Sequence, residues 1–151
     1  MFCDFVSGSR RGNRKLNTIL LIDDDEIDQH LCQRVFKRSG LSLKLLTARD
    51  GVEALELLRE TDPFPDLILL DINMPRMNGH EFLAEYSKLG RRDIPVIVML
   101  TSSDQSCDRE QAMKHPVVRD YILKPLRKEM IEKLKALVEA AKARLEKKEQ
   151  E

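Results

Sequence analysis

Apolar residues gather along this chain in short blocks, separated by polar stretches that contain turn residues such as Gly40, Pro65 and Pro95. A continuous aliphatic run of about five residues is typical of a strand that is buried on both faces of a sheet. Glycine and proline between such runs mark the places where the chain leaves the sheet. The predicted strands are residues 18–22, 43–48, 67–70, 96–100 and 117–123.

Between the predicted strands, apolar residues recur at helical spacing. Ile27, Leu31 and Val35 indicate a first helix that ends at Gly40. Further helices are predicted at 52–58, 79–89, 105–114 and 127 to about 147. Alternating strands and helices with right-handed crossovers place helices on both faces of a parallel sheet. The predicted fold class is α/β: a flavodoxin-like, doubly wound (βα)5 fold whose five-stranded parallel sheet has the strand order 2-1-3-4-5.

Carboxylates follow two of these strands directly. Asp23 and Asp24 come after residues 18–22, and Asp71 comes after residues 67–70. Open α/β sheets bind ligands at the carboxyl ends of their strands, so these side chains are expected at one edge of the sheet. Carboxylates that lie close together repel one another, and a hard divalent cation with oxygen ligands relieves the repulsion. An acidic Mg²⁺ pocket is the first hypothesis.

The remaining strand ends favour phosphoryl chemistry at that pocket. Asp71 is the candidate nucleophile, since a carboxylate accepts a phosphoryl group as an acyl phosphate. Mg²⁺ between Asp24 and Asp71 would neutralise the charge of the transferring group, with Asp23 orienting a metal-bound water. Lys124, at the end of the fifth strand, supplies an ammonium charge, and the hydroxyl of Thr101 offers a donor to a phosphate oxygen.

Five strings of residues stand at these positions: Leu21-Ile22-Asp23-Asp24-Asp25, Leu70-Asp71-Ile72-Asn73-Met74-Pro75, Asn78-Gly79, Leu100-Thr101-Ser102 and Tyr121-Ile122-Leu123-Lys124-Pro125. In their order and spacing they resemble the receiver domain of two-component response regulators, and the resemblance extends over about residues 17–140. No output domain follows the last predicted helix, so the chain is similar to the stand-alone, single-domain regulators related to the chemotaxis regulator.

The resemblance implies roles for individual residues. Asp71 matches the phosphoacceptor of the family, and Asp23 and Asp24 match its acidic pair. The implied metal set is Asp23, Asp24, Asp71 and the backbone carbonyl of Asn73, with Mg²⁺ as the cofactor. Lys124 matches the family's lysine, which acts with Asp71 and Thr101 in phosphotransfer and whose bond to the following proline is usually cis.

The resemblance also implies a switch. Thr101 matches the switch hydroxyl and Tyr121 the switch aromatic, so that phosphorylation draws Thr101 inward and Tyr121 follows it. The expected function is a phosphoacceptor response regulator of a two-component phosphorelay. A histidine kinase or histidine phosphotransfer protein would be its donor and a protein of unknown identity its target. A homodimer that depends on phosphorylation stays open. The chain would be a signalling switch rather than an enzyme, although it assists its own phosphotransfer and autodephosphorylation.

Composition narrows the classes of partner and the compartment. Lys plus Arg and Asp plus Glu both number 26, which gives no basic field for direct binding of nucleic acid or of a membrane surface. Cys3, Cys32 and Cys107 are scattered, as in a reducing cytosol, and are expected to be inert. A cytoplasmic location is predicted. Residues 1–16 are expected to be a disordered lead or a cloning remnant, 17–147 the receiver domain and 148–151 a frayed tail.

Several alternatives stay open at this point. Asp25 is interpreted as a helix N-cap rather than a metal ligand. The additional acidic residues Glu26 and Asp28 either strengthen metal binding or only face solvent. A pseudo-receiver that is never phosphorylated and serves as an interaction module is the main alternative function. A haloacid-dehalogenase-like phosphatase is disfavoured because Asn73 stands where that family has its second aspartate. A nucleotide site is disfavoured because the glycine-rich phosphate motifs are absent.

Overall fold

A computed structural model of the chain describes residues 16–60, 65–72, 77–88, 96–101, 110, 113–114 and 118–150. The strands are β1 (Thr18–Ile22), β2 (Lys44–Ala48), β3 (Leu67–Leu70), β4 (Val96–Thr101) and β5 (Val118–Leu123). The helices with assigned bounds are α1 (Glu26–Arg38), α2 (Gly51–Glu60), α3 (Gly79–Ser87) and α4 (Lys128–Gln150). Most of the predicted helix 105–114 lies outside the described residues, and within it Glu110 and Met113 have helical backbone.

The strands form one parallel sheet in the order β2-β1-β3-β4-β5, which confirms the predicted topology. The aliphatic runs explain the position of the central strands, since β1, β3 and β4 are buried along their whole length. Edge strand β2 is only partly buried. The register places Ile22 beside both Ala48 and Leu70, so that three strands end at the same level.

Alternate residues of the central strands feed two apolar layers, one on each face of the sheet. One layer joins β1, β3 and β4 to the buried sides of α2 and α3, with Leu58 and Phe82 fully buried. The other layer joins the opposite faces of the same strands to α1 and α4, with Phe36 and Leu134 among its buried residues. Leu16, the last residue of the predicted lead, is buried in this second layer. Helices on both faces explain why the strands carry continuous apolar runs.

Local capping sets the helix ends that border the carboxyl edge of the sheet. Asp25 is the N-cap of α1, because its side chain accepts hydrogen bonds from the backbone N–H groups of Ile27 and Asp28. This confirms the capping role that the sequence indicates. Asn78 and Glu81 form a capping box at the start of α3. Gly40, with φ of 79°, follows α1 in the left-handed region, as expected of a glycine that ends a helix.

Helix α4 crosses the outer side of the second layer and extends to Gln150, slightly beyond the end that the periodicity predicts. Ile131, Leu134 and Val138 are its buried residues, and Lys142 forms an ion pair of 2.9 Å with Asp66 below the sheet. None of the four helices described combines the length and the hydropathy that a bilayer crossing requires.

Candidate functional site

Backbone hydrogen bonds hold the residues just past the strands in register with the sheet. The N–H of Asp23 donates to the carbonyl of Ala48 at 3.0 Å, and the N–H of Asp71 donates to that of Ile22 at 2.9 Å. The N–H of Lys124 donates to the carbonyl of Thr101 at 2.7 Å. The sheet itself therefore fixes where these side chains begin, and all of them begin at its carboxyl edge.

Three carboxylates meet at this edge. Asp23, Asp24 and Asp71 each offer one oxygen, and these oxygens lie within 4.8 Å of one another. Opposite ligands of one Mg²⁺ lie roughly 4.2 Å apart, because each Mg–O bond is about 2.1 Å long. Asp23 and Asp71 are buried, whereas Asp24 is exposed and leaves the cluster open to solvent. The donor set and its spacing suit a hard cation such as Mg²⁺.

The backbone and side chain of Asp23 are fixed from several directions. One carboxylate oxygen accepts the N–H of Asp25 at 3.0 Å, and the other accepts Lys124 Nζ at 2.7 Å. Gln29 Nε2 donates to the carbonyl of Asp23 at 2.6 Å and to that of Ala48 at 3.3 Å. Gln29 thus ties α1 to the ends of two strands. The sequence reasoning missed this role, because a glutamine in the first turns of a helix carries no signal for a strand-end contact.

Lys124 lies between three carboxylates. Its Nζ is 2.7 Å from Asp23, 2.8 Å from Asp28 and 3.6 Å from Asp71. Burial lowers the pKa of Lys124, but hydrogen bonds to Asp23 and Asp28, together with the charge of Asp71, outweigh it and hold the pKa above its ordinary value. The side chain is therefore a fixed ammonium at neutral pH. Its bond to Pro125 is cis, as the resemblance implies.

The structure gives Asp28 a role that the sequence did not indicate. The two expected alternatives were that Asp28 strengthens metal binding or only faces solvent. Its carboxylate pairs with Lys124, and its side chain is 31% exposed. One signal was available, since Asp28 precedes the buried Cys32 by four residues and thus shares the inward side of α1. Glu26 faces solvent, as the second alternative predicts. Its side chain is 78% exposed and forms an ion pair with Arg49.

Thr101 and Tyr121 occupy neighbouring strands. Thr101 is fully buried at the carboxyl end of β4. Tyr121 is partly buried in β5, in register with Met99, and packs against the layer that contains α2 and α3. Because Thr101 lies two residues after Met99, Thr101 and Tyr121 face the same side of the sheet. The structure thus brings the two residues of the predicted switch to one side of the sheet, and their joint movement stays a prediction.

Asn73, the fourth member of the predicted metal set, lies outside the described residues. Gly79, at the start of α3, permits a close approach of that helix to the end of β3. A Cβ atom on Gly79 would lie 2.7 Å from the backbone oxygen of Asp71 and 3.0 Å from the Cα of Ile72. The N–H of Gly79 also donates to the carbonyl of Ile72 at 2.8 Å. Helix α3 can therefore begin directly against the residue that bears the candidate nucleophile.

A cavity of about 220 Å³ opens beside Lys124 and is lined by Asp28, Leu31, Cys32, Lys124, Pro125 and Leu126. Burial, together with the negative charges of Asp23 and Asp28, raises the pKa of the Cys32 thiol to about 12, and the charge of Lys124 partly opposes this. The thiol is therefore protonated at neutral pH, which agrees with the inert role predicted for it. Cys3 and Cys107 lie outside the described residues.

Known proteins resemble this chain in sequence and in structure. "Probable methanogenesis regulatory protein FilR2" of Methanothrix harundinacea is 36% identical over 129 residues, which cover 82% of this chain and 80% of FilR2. "Response regulator Rcp1" of Synechocystis is 40% identical over 93 residues, which cover 58% of this chain and only 63% of Rcp1.

Solved structures of response regulators also resemble this chain. A two-component response regulator from Cytophaga hutchinsonii superposes with a TM-score of 0.75 at 27% identity, covering 82% of this chain and 97% of that one. The Mn²⁺-bound form of Rcp1 superposes with a TM-score of 0.65 at 31% identity, covering 82% of this chain and 90% of that one. Residues 19–136 match the family model described as the response regulator receiver domain. This chain belongs to the family of response regulator receiver domains.

Proposed function

We propose that this chain is the phosphoacceptor of a two-component phosphorelay and that Asp71 accepts the phosphoryl group. Receiver domains act as signalling switches in two-component systems. The observation that carries the proposal is the position of Asp71 at a strand end, with the carboxylates of Asp23 and Asp24 in its cluster and the ammonium of Lys124 at 3.6 Å. A nucleophilic carboxylate, a site for a divalent cation and a fixed positive charge are what phosphoryl transfer requires.

Asp23, Asp24 and Asp71, together with the backbone carbonyl of Asn73, would hold Mg²⁺. The bound ion would supply positive charge for the oxygens of the transferring phosphoryl group. Receiver domains bind Mg²⁺ at an acidic pocket, and the Rcp1 structure similar to this chain contains Mn²⁺, a cation with the same preference for oxygen ligands. The open position at Asp24 supports entry of the ion from solvent.

In the transfer step, one carboxylate oxygen of Asp71 attacks the phosphorus of a phosphohistidine on the donor protein. The new O–P bond forms as the N–P bond breaks, and the imidazole nitrogen keeps the electron pair of the broken bond. Lys124 stabilises the negative charge on the phosphoryl oxygens. Water later attacks the phosphorus of the acyl phosphate, the bond between phosphorus and the Asp71 oxygen breaks, and inorganic phosphate leaves. This restores the carboxylate, so the same residues serve autodephosphorylation.

The hydroxyl of the buried Thr101 would donate a hydrogen bond to an oxygen of the new phosphoryl group, and Tyr121 on the neighbouring strand would follow. Such a change shifts the population of two packings of the β4 and β5 face and thereby changes which target protein binds there. The same repacking would also allow two phosphorylated chains to form a homodimer through this face and α4.

A protein donor must reach Asp71, and the surface beside the site suits one. Ile27 is 71% exposed and Leu31, one turn along α1, is 45% exposed. Apolar side chains next to a polar site are typical of a protein-binding surface. We therefore propose a histidine kinase or histidine phosphotransfer protein as donor and a cytoplasmic location. We also propose a receiver domain over residues 17–147, to which the buried Leu16 and the last turn of α4, to Gln150, also belong.

Incubation with acetyl phosphate tests the proposal without a partner protein. Wild type, with Mg²⁺ and with EDTA, is compared with Asp71→Asn by intact mass. A Mg²⁺-dependent gain of one phosphoryl group in the wild type alone is the expected result. Equal incorporation by Asp71→Asn would overturn the assignment of the phosphoacceptor.

Absence of incorporation from acetyl phosphate leads to a second assay with purified histidine kinases and ³²P-labelled ATP. Transfer from any kinase to wild type but not to Asp71→Asn supports the phosphorelay. Failure in both assays would favour the pseudo-receiver, which binds partners without being phosphorylated.

A further inference from the structure

The ammonium of Lys124 is held on the α1 side of the site. Its two shortest contacts are 2.7 Å to Asp23 and 2.8 Å to Asp28, and Asp71 lies farther away at 3.6 Å. Charge-assisted N–H···O bonds typically measure about 2.7–2.9 Å, so Lys124 makes two such bonds and only a longer ion pair with Asp71. Two of its three N–H groups are thereby directed at Asp23 and Asp28.

The two close partners of Lys124 differ in what else they do. The side chain of Asp23 is 1% exposed and belongs to the carboxylate cluster. Asp28 lies outside that cluster, in the first turn of α1. Asp28 therefore pairs with the lysine but does not belong to the set of carboxylates that would hold the metal.

We propose that Asp28 is a positioning residue that restrains Lys124 and thereby limits how strongly the lysine contacts a phosphoryl group on Asp71. The inference rests on the proposed function. A phosphoryl group on Asp71 attracts the ammonium of Lys124 towards β3. As the ammonium approaches the phosphoryl oxygens, its hydrogen bond to Asp28 must lengthen. Asp28 thus lowers the stability of the phosphorylated state, and its removal releases Lys124 to the phosphoryl oxygens.

Beryllium trifluoride, a mimic of the phosphoryl group, provides the test on the full-length chain. Its dissociation constant is measured by calorimetry at saturating Mg²⁺ for wild type and Asp28→Asn. We expect Asp28→Asn to bind the mimic about fivefold more tightly, since one competing charge-assisted bond is removed. Asp28→Glu, which restores the carboxylate, should return the constant towards the wild-type value.

Glu26→Gln is the matched control. It removes one negative charge from the same turn of α1, but Glu26 pairs with Arg49 and not with Lys124. This variant should bind the mimic as the wild type does. If it binds as tightly as Asp28→Asn, general charge removal explains the effect and the positioning role is wrong.

A double-mutant cycle identifies the lysine as the mediator. In a Lys124→Met background, Asp28→Asn should change the dissociation constant by less than about twofold, because the restrained group is gone. An undiminished effect in that background would overturn the inference, as would unchanged or weaker binding by Asp28→Asn alone. Failure of the wild type to bind the mimic with Mg²⁺ would instead count against the proposed function.

Discussion

The two ends of β3 each bear an aspartate, and the two aspartates have opposite surroundings. Asp66, just before the strand, accepts the backbone N–H groups of Asn17 at 2.9 Å and of Thr18 at 3.0 Å and pairs with Lys142 at 2.9 Å. Asp71, just after the strand, lies in a cluster with two other carboxylates and is 3.6 Å from Lys124. Three donors bind the first side chain, whereas two further carboxylates lie beside the second.

This difference is the one expected between a carboxylate that stabilises the fold and a carboxylate that is proposed to accept a phosphoryl group. The charge of Asp66 is balanced by backbone donors and a lysine, so the side chain ties β1, β3 and α4 together. At the other end, the fold collects more negative charge than Lys124 balances, because Asp23 and Asp28 take its shortest contacts. Such crowding favours binding of a cation and transfer of an electrophilic group.

The largest expected effect is on phosphoryl acceptance, when the aspartate at each end of β3 is replaced by asparagine. Asp71→Asn should lose phosphoryl acceptance completely, since an amide does not form the acyl phosphate. Its free energy of unfolding should stay within about 1 kcal/mol of wild type, because the change also relieves repulsion. Asp66→Asn should keep acceptance in its folded fraction. Intact mass and urea unfolding, measured on both variants, check the contrast.

The second effect is on stability. Asp66→Ala should lower the free energy of unfolding by about 2–4 kcal/mol, because two backbone N–H groups each lose a hydrogen bond to the carboxylate and Lys142 loses a partly buried ion pair. Chemical denaturation in urea measures the change. Glu26→Gln, which breaks a surface pair with Arg49, should cost about 0–1 kcal/mol. Equal losses in the two variants would contradict the structural role of Asp66.

The third effect is linkage to Mg²⁺. At ten times the dissociation constant, Mg²⁺ should stabilise the wild type by about 1.4 kcal/mol, because the ion binds the folded cluster and not the unfolded chain. Asp24→Asn should lose most of this gain, whereas Asp66→Asn should keep it. Thermal unfolding with and without Mg²⁺ provides the measurement. Stabilisation of equal size in Asp24→Asn would place the ion elsewhere.

The smallest expected effect is on the reactivity of the Cys32 thiol, which lines the cavity beside Asp28 and Lys124. With a pKa of about 12, its thiolate fraction at pH 8 is roughly one in ten thousand, so iodoacetamide should leave it unmodified in the native protein. Reactivity should rise only as the pH approaches that pKa or as the protein unfolds. Peptide mapping distinguishes Cys32 from the other cysteines, and rapid native labelling at pH 8 would contradict the buried, protonated thiol.

The sequence predicted the cluster of carboxylates because aliphatic runs indicate strands, and the ends of parallel strands meet at one edge of the sheet. β1 and β3 begin and end where the apolar runs do, and the carboxylates of Asp23, Asp24 and Asp71 follow at the expected level. The topology and the capping role of Asp25 were also predictable, since they depend on local pattern and on handedness.

Contacts between distant segments were not predictable in this way. The pairing of Asp28 with Lys124 depends on how α1 packs against the end of β5, and polar residues in a first helical turn ordinarily face water. Asp66 acquires its role only when Asn17 and Lys142 arrive from other parts of the chain. Asn73 and most of the predicted helix 105–114 lie outside the described residues, so those predictions stay untested.

Locating the phosphoryl group tests the central claim most directly. The protein is treated with acetyl phosphate and Mg²⁺, the acyl phosphate is reduced with borohydride to homoserine, and the modified residue is identified by peptide mass spectrometry. Homoserine at position 71, absent when EDTA is present, is the predicted result. Homoserine at Asp23, Asp24 or Asp66 instead, or phosphorylation that does not require Mg²⁺, would contradict the account.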